Sequence, residues 1–255
     1  MKLYMVGMGI SDIGSMPLRG LDAVKSSDVV FAEFFTSIIK DDAIRKLEAM
    51  SGKKVEVINR PQLEEEELVI GSLRQGKDVS LLTAGDPLAA TTHQELRADA
   101  QDLGAEIEIV HSSSIFTAAP GLAGLQHYKF GRTTTIPFPE GSYLPTSPIE
   151  VIMANLSGGM HTLVLLDIQA HRERYMLASE GAEIILKMAD KYGSETVGPK
   201  TEAVAIARAG SPDFKIAYCD LSSMKAQDMG APPHSIIIPG RLHFMEEEML
   251  ERFRL

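Results

Sequence analysis

A single cysteine, Cys219, and no tryptophan occur in the 255 residues of this chain. One thiol can form neither an internal disulfide nor a thiolate metal cluster, so a reducing compartment is expected. Positive charge is also scarce: 25 Lys and Arg against 35 Asp and Glu leave a formal net charge of −10. Nucleic-acid binding needs a surplus of basic groups, so DNA and RNA are not expected as direct ligands. The negative field weakly favours a cationic cofactor or a basic protein partner, and it also serves ordinary solubility. No apolar run approaches the roughly eighteen residues that span a bilayer. The opening MKLYMVGMGISDIG is too short an apolar run for a signal sequence. A cytoplasmic protein without membrane contact is therefore expected. The histidines show no H-x-x-x-H or similar ligand spacing, so no metal site is expected. Neither a G-x-S-x-G elbow nor a Walker-type loop occurs, which removes the simplest hydrolase and NTPase readings.

What is present is alternation. KLYMVGMG, DVVFAEF, KKVEVI, DVSLLTA and AEIEIVH read as strands. Between them, Leu18, Leu21 and Val24 recur at helical spacing, as do Ile38, Ile39, Ile44, Leu47 and Met50. LEEEELVIGSLRQG reads as one helix ending on Gly76, where a left-handed residue is cheapest. Strands separated by helices imply crossover connections and a mostly parallel sheet covered on both faces. In the second half HTLVLLD, TEAVAIARAG, FKIAYCDL and HSIIIPG follow with shorter gaps, so mixed or antiparallel pairing is expected there. The Pro-rich stretch TTTIPFPEGSYLPTSP, residues 133–148, cannot continue a helix or a central strand. The expected architecture is two unlike α/β domains, 1–136 and 146–255, with a linker at 137–145 and a ligand cleft between them.

Several strand ends carry unusual residues. Gly7 and Gly9 suggest a dinucleotide fingerprint with Glu33, but the third glycine position is Asp12, and no helix pattern begins at Gly9. A nicotinamide-dependent oxidoreductase remains a lesser alternative. In LLTAGDPLAATTH, Gly85 permits backbone angles that other residues resist, and Pro87 biases Asp86 towards an extended conformation. Thr92 and Glu95 form a capping-box pair for the next helix. Asp86 thus lies in a short loop at the carboxyl edge of the sheet, where open α/β folds bind ligands. It either meets a ligand there or closes its own turn, a common use of Asp-Pro. HSSSIFTAAPGLAG repeats the arrangement, its serines also suited to capping a helix. ARAG and APPHSIIIPG follow the same design, and His234, as a lone histidine, suits packing as well as ligand contact.

Taken in order, LYMVGMGI, LRGLDAVKSSDVVFAEFFTS, LLTAGDPLAATTHQELR, SIFTAAPGLAGLQHYKFG, HTLVLLDI, ARAG and PPHSIIIPG resemble the diphthine synthases. These are a family within the tetrapyrrole-methylase-like class of S-adenosylmethionine-dependent methyltransferases. The likeness runs from Met1 to about Arg254. GDPL is shared across the class, whose other members act on tetrapyrroles or RNA and supply a second alternative; AEFFTS, TTHQELR, QHYKFG and PEGSY are the more particular stretches.

The resemblance implies a homodimer that binds S-adenosyl-L-methionine and releases S-adenosyl-L-homocysteine. It places cofactor contacts on Ile10, Asp86, Ala89, Ser114, Ile115, Leu166, Ala209 and His234, and assigns no catalytic side chain. Ala89 stands where the family usually has a larger aliphatic residue, and Ser113 where relatives often carry proline. The implied substrate is translation elongation factor 2 bearing a 3-amino-3-carboxypropyl arm on a histidine, whose amine is methylated, up to three times, to give diphthine in diphthamide biosynthesis. Alignment of nitrogen, methyl carbon and sulfur at about 3–3.5 Å then matters more than acid–base chemistry. An amine with a reference pKa near 7.7–8.0 is already partly neutral at physiological pH.

Overall fold

The computed structural model describes residues 1–34, 42–64 and 67–255, with the side chain of His171 excepted. Ile38, Ile39 and the end of AEFFTS lie outside the described residues. The chain divides into two compact units, Met1–Ile115 and Phe116–Leu255.

The first unit runs β1 (Lys2–Gly7), α1 (Leu18–Ser26), β2 (Val29–Glu33), α2 (Ala43–Ser51), β3 (Glu56–Ile58), α3 (Arg60–Glu64), α4 (Leu68–Arg74), β4 (Val79–Thr83), α5 (His93–Asp102) and β5 (Glu106–Val110). Its sheet has the order β3-β2-β4-β1-β5, and every pairing is parallel. Alternate side chains face opposite sides of the sheet. Leu3 and Met5 join Val69, Leu73, Leu96 and Ala100 of α4 and α5, while Val6 joins Val24 and Leu47 of α1 and α2. Helices therefore cover both faces, as the unbroken apolar strands require.

Three local expectations change. Leu18 is 81% exposed; Val24 is buried as expected, and α1 buries Gly20 and Ala23 beside it. A Cβ on Gly20 would stand 2.9 Å from Val6, so only small residues let this helix approach the sheet. The helix expected over 63–76 is two, α3 and α4, with Glu67 at φ +50 just before the second. Gly76 is left-handed as expected, at φ +79.

Thr92 does precede α5 but makes no side-chain cap; its hydroxyl donates to Glu64 Oε1 at 3.1 Å. Thr92→Ala should therefore cost clearly less than the roughly 1 kcal/mol of a lost cap. Urea denaturation of the variant checks this, and a loss of that full size would restore the capping reading.

α6 (Ile115–Ala123) begins on the last residue of the first unit. The second unit continues through β6 (Thr134–Ile136), α7 (Ser147–Ser157), β7 (Thr162–Leu166), β8 (Ile168–Gln169), β9 (Arg174–Tyr175), α8 (Ala178–Tyr192), β10 (Glu202–Ala207), β11 (Lys215–Asp220), α9 (Leu221–Met224), β12 (His234–Ile238) and α10 (Phe244–Glu251). Its main sheet has the order β11-β10-β12-β7-β6. β12 is antiparallel to both β10 and β7, β10 is antiparallel to β11, and β6 joins β7 in parallel. The sheet is thus mixed, as the short gaps imply. Residues 137–145, expected as the interdomain linker, connect β6 to α7 within the second unit. Proline ends the edge strand β6 without disturbing a central ladder, and Pro148 sits in the first turn of α7, where a missing N–H costs nothing.

Ile149 and Ile152 of α7 and Ile185 and Met188 of α8 pack with Val164 and Ile236 in one buried core. At its margin, Glu246 of α10 is fully buried and accepts from the Gln126 amide at 2.8 Å, the His243 amide at 2.8 Å, His161 Nε2 at 3.2 Å and the Lys129 ammonium. His161, also fully buried, accepts from the Gly240 amide at Nδ1, so its Nε2 carries the proton given to Glu246. No helix among the described residues is long and apolar enough to cross a membrane.

Candidate functional site

Parallel pairing brings the carboxyl ends of the first sheet to one edge. Gly7 and Glu33 both lie beside Thr83, and Val6 lies beside Val110. The loops after β1, β4 and β5 therefore leave together. Gly9 and Gly85, at φ +76 each, exchange backbone hydrogen bonds of 3.1 and 2.8 Å. A Cβ on Gly7 would stand 2.5 Å from the Gly85 carbonyl oxygen, whereas one on Gly85 would meet nothing within 4 Å. The first glycine is required by packing, and the second leaves bare backbone at the sheet edge. The third loop closes the set: the Ile10 amide donates to Ser113 Oγ at 3.3 Å, and Ser112 Oγ donates to the Ser15 carbonyl at 3.2 Å. Ser113 thus ties two loops.

Asp86 is the polar centre of this edge. Its Oδ1 accepts from the Leu88 amide at 3.1 Å, and its Oδ2 accepts from the Ser112 amide at 3.2 Å and faces His111 Nδ1 at 2.7 Å. The turn-closing reading is therefore correct as far as it goes, and the carboxylate also joins the β4 and β5 loops. Its side chain remains 14% exposed. A carboxylate oxygen accepts about two hydrogen bonds, so Oδ1 keeps capacity for one further donor. Ala89 lies in the same turn, and Ser114 and Ile115 stand at the first turn of α6.

In the second unit, Leu166 pairs with Ile136, Leu165 with Ser235, and Ala207 with His234. Because β12 runs against its neighbours, its start lies beside the ends of β7 and β10. Leu166, Ala209 and His234 therefore share one edge of that sheet. Leu166 is buried and packs where a Cβ on Gly181 would come within 2.7 Å of it. His234 Nε2 donates to the Ala231 carbonyl and Nδ1 accepts from the Ala178 amide, each at 3.0 Å. Burial lowers its pKa, so the ring is neutral and both nitrogens are engaged.

Arg208, next to the expected contact Ala209, is a residue that sequence reasoning did not single out. At φ +50, it donates to Asp213 and to the Met229 and Ala231 carbonyls, holding the loop before β12. Its signal was its position, immediately before Ala209 at the end of a strand. Five described residues other than glycine have positive φ: Ser11, Glu67, Ala90, Glu173 and Arg208. Three of them abut the expected contacts Ile10, Ala89 and Ala209. Such backbone strain collects where a ligand is held.

The dinucleotide alternative loses its geometry. Asp12 caps a short 3-10 turn through the Gly14 amide at 2.9 Å, α1 starts only at Leu18, and Glu33 is completely buried. No group of three or more His, Cys, Asp or Glu side chains suited to a metal ion occurs among the described residues.

A parallel sheet with ligand-facing loops, joined in sequence to a mixed sheet, is the architecture of a methyltransferase class. The family model described as Tetrapyrrole (Corrin/Porphyrin) Methylases matches residues 2–225. A diphthine synthase of Methanothermobacter thermautotrophicus is 46% identical, over 97% of this chain and 94% of its own. One of Methanocaldococcus jannaschii is 40% identical over 98% and 97%. A crystal structure of diphthine synthase superposes with a TM-score of 0.89 at 33% identity, covering 100% of this chain and 96% of that one. The chain belongs to the diphthine synthase family of tetrapyrrole-methylase-type methyltransferases.

Proposed function

We propose that the protein is an S-adenosylmethionine-dependent methyltransferase that methylates, up to three times, the amine of the 3-amino-3-carboxypropyl-histidine of elongation factor 2, giving diphthine. The observation that carries the reading is the strained backbone beside Ile10 and Ala89 in the first unit, at a sheet edge whose Asp86 carboxylate keeps one acceptor position. The donor set fits the cofactor: bare backbone at Gly85 admits close approach, and Asp86 suits a hydroxyl or ammonium donor. When bound, the cofactor supplies an electrophilic sulfonium methyl. Ile10, Asp86, Ala89, Ser114 and Ile115 in the first unit, and Leu166, Ala209 and His234 in the second, would hold it, several of them through backbone. The reading includes a cytoplasmic homodimer with elongation factor 2 as protein partner.

The chain's own contribution is binding and orientation. Two of the histidines near the two edges, His93 and His234, are buried and bonded to neighbouring backbone, which leaves neither placed to take a proton from a substrate. Alanine variants at His93, His171 and His234 should each keep turnover within about a hundredfold of the parent, with no new ionisation in the pH–rate profile. A single variant that loses about 10⁴-fold in turnover at unchanged cofactor affinity would identify a general base and contradict this account. Mass spectrometry of the protein as purified tests the cofactor itself. S-adenosylhomocysteine is the expected bound nucleoside, and a dinucleotide in its place would overturn the reading.

A further inference from the structure

His93 and Glu33 form a buried polar pair beneath the loop that carries Asp86. Glu33 ends β2 and His93 opens α5; their side chains are 0% and 1% exposed, with His93 Nε2 3.6 Å from Glu33 Oε1. His93 Nδ1 lies 3.1 Å from the Pro87 carbonyl oxygen and 3.5 Å from Thr83 Oγ1. A carbonyl oxygen only accepts, so Nδ1 carries a proton and donates it to Pro87. Nε2 then faces Glu33 Oε1 at 3.6 Å, too long for a hydrogen bond. The directed bond of the ring is therefore the one from Nδ1–H to Pro87.

The consequence for Asp86 follows from chain geometry. The pyrrolidine ring fixes φ of Pro87. His93, together with the Thr91 hydroxyl at 3.0 Å, holds the Pro87 carbonyl and hence ψ. With both torsions set, Asp86 on one side of Pro87 and Leu88 on the other keep a fixed relation. That relation is the one in which Asp86 Oδ1 accepts the Leu88 amide and keeps its remaining acceptor position in place.

We propose that His93 is a positioning residue for the Asp86 carboxylate, acting through the Pro87 carbonyl. The proposal rests on the reading that Asp86 meets the cofactor. The distinguishing chemistry is the Nδ1 donor. An asparagine amide reaches the Nδ1 position, whereas a glutamine amide reaches only the Nε2 position on the Glu33 side.

The experiment titrates full-length His93→Gln, His93→Asn and Asp86→Ala proteins with S-adenosylhomocysteine by calorimetry and records thermal unfolding of each. His93→Gln should bind roughly tenfold more weakly than the parent. His93→Asn should rescue binding to within about threefold of the parent even if both variants lose similar thermal stability. Equal affinities for Asn and Gln, or parent-like binding by Gln, would overturn the positioning role. Asp86→Ala separates the two ideas. If it binds like the parent, the cofactor reading of Asp86 falls first; if it is weak while His93→Gln is not, only the positioning role falls.

Discussion

Asp86→Ala should weaken S-adenosylmethionine binding by roughly 1.5–3 kcal/mol, the usual range for a hydrogen bond to a charged group. The carboxylate has two tasks, so the loss has two possible origins. Oδ2 joins the β5 loop through the Ser112 amide and His111, while Oδ1 closes the turn and keeps one acceptor position. His111→Ala separates them, because it removes an exposed partner of Oδ2 and leaves Oδ1 untouched. His111 is 68% exposed, and polar contacts at such exposed sites contribute little, so a change of no more than about threefold in affinity is expected. Calorimetry on both variants decides. Unchanged affinity for Asp86→Ala would confine this residue to loop structure, and equal losses for both would assign the effect to the loop junction.

The largest stability loss is expected away from that edge. Glu246→Ala removes a fully buried carboxylate that accepts two backbone amides, a buried imidazole and an ammonium. Breaking such a cluster on one side leaves the others unpaired and should cost about 3–5 kcal/mol. The pH dependence follows from the direction of the shifts. Although burial acts to raise it, the bonds from Lys129, His243, Gln126 and His161 bring the Glu246 pKa down to about 2. Its folded value is thus below its unfolded value, so its contribution is complete above pH about 4.5 and is lost as pH falls towards 2. Burial likewise lowers His161, whose contribution is complete above about 6.5 and declines below it. Acid therefore removes both. Urea denaturation from pH 7 to 3 should show Glu246→Gln losing less stability than the parent over the lower part of that range. Parallel curves would contradict the assignment.

Much of this was legible because strand ends and strand breakers are local. LLTAGDP marked the end of β4 and the following loop, and the alternation of strands with helices in the first half implied parallel pairing on physical grounds alone. The mixed second sheet followed from its short connections. Other features depend on partners distant in sequence. Thr92 looks like a cap in isolation, yet Glu64 takes its hydroxyl. Leu18 fits an apolar stripe, but the need for close helix approach turns Gly20 and Ala23 inward instead. The Pro-rich stretch resembles a linker because proline ends elements, and it ends them equally well inside a unit. Arg208 was hidden for a similar reason: its hydrogen bonds reach residues 213–231, which no spacing rule connects to it.

The proposed methyl transfer is tested most directly on the protein substrate itself. Elongation factor 2 carrying the unmethylated arm would be incubated with this protein and S-adenosylmethionine, and its intact mass followed with time. The account predicts stepwise gains of whole methyl groups, ending at three, all on the modified histidine. An unchanged mass, under conditions where the protein binds S-adenosylmethionine, would contradict it.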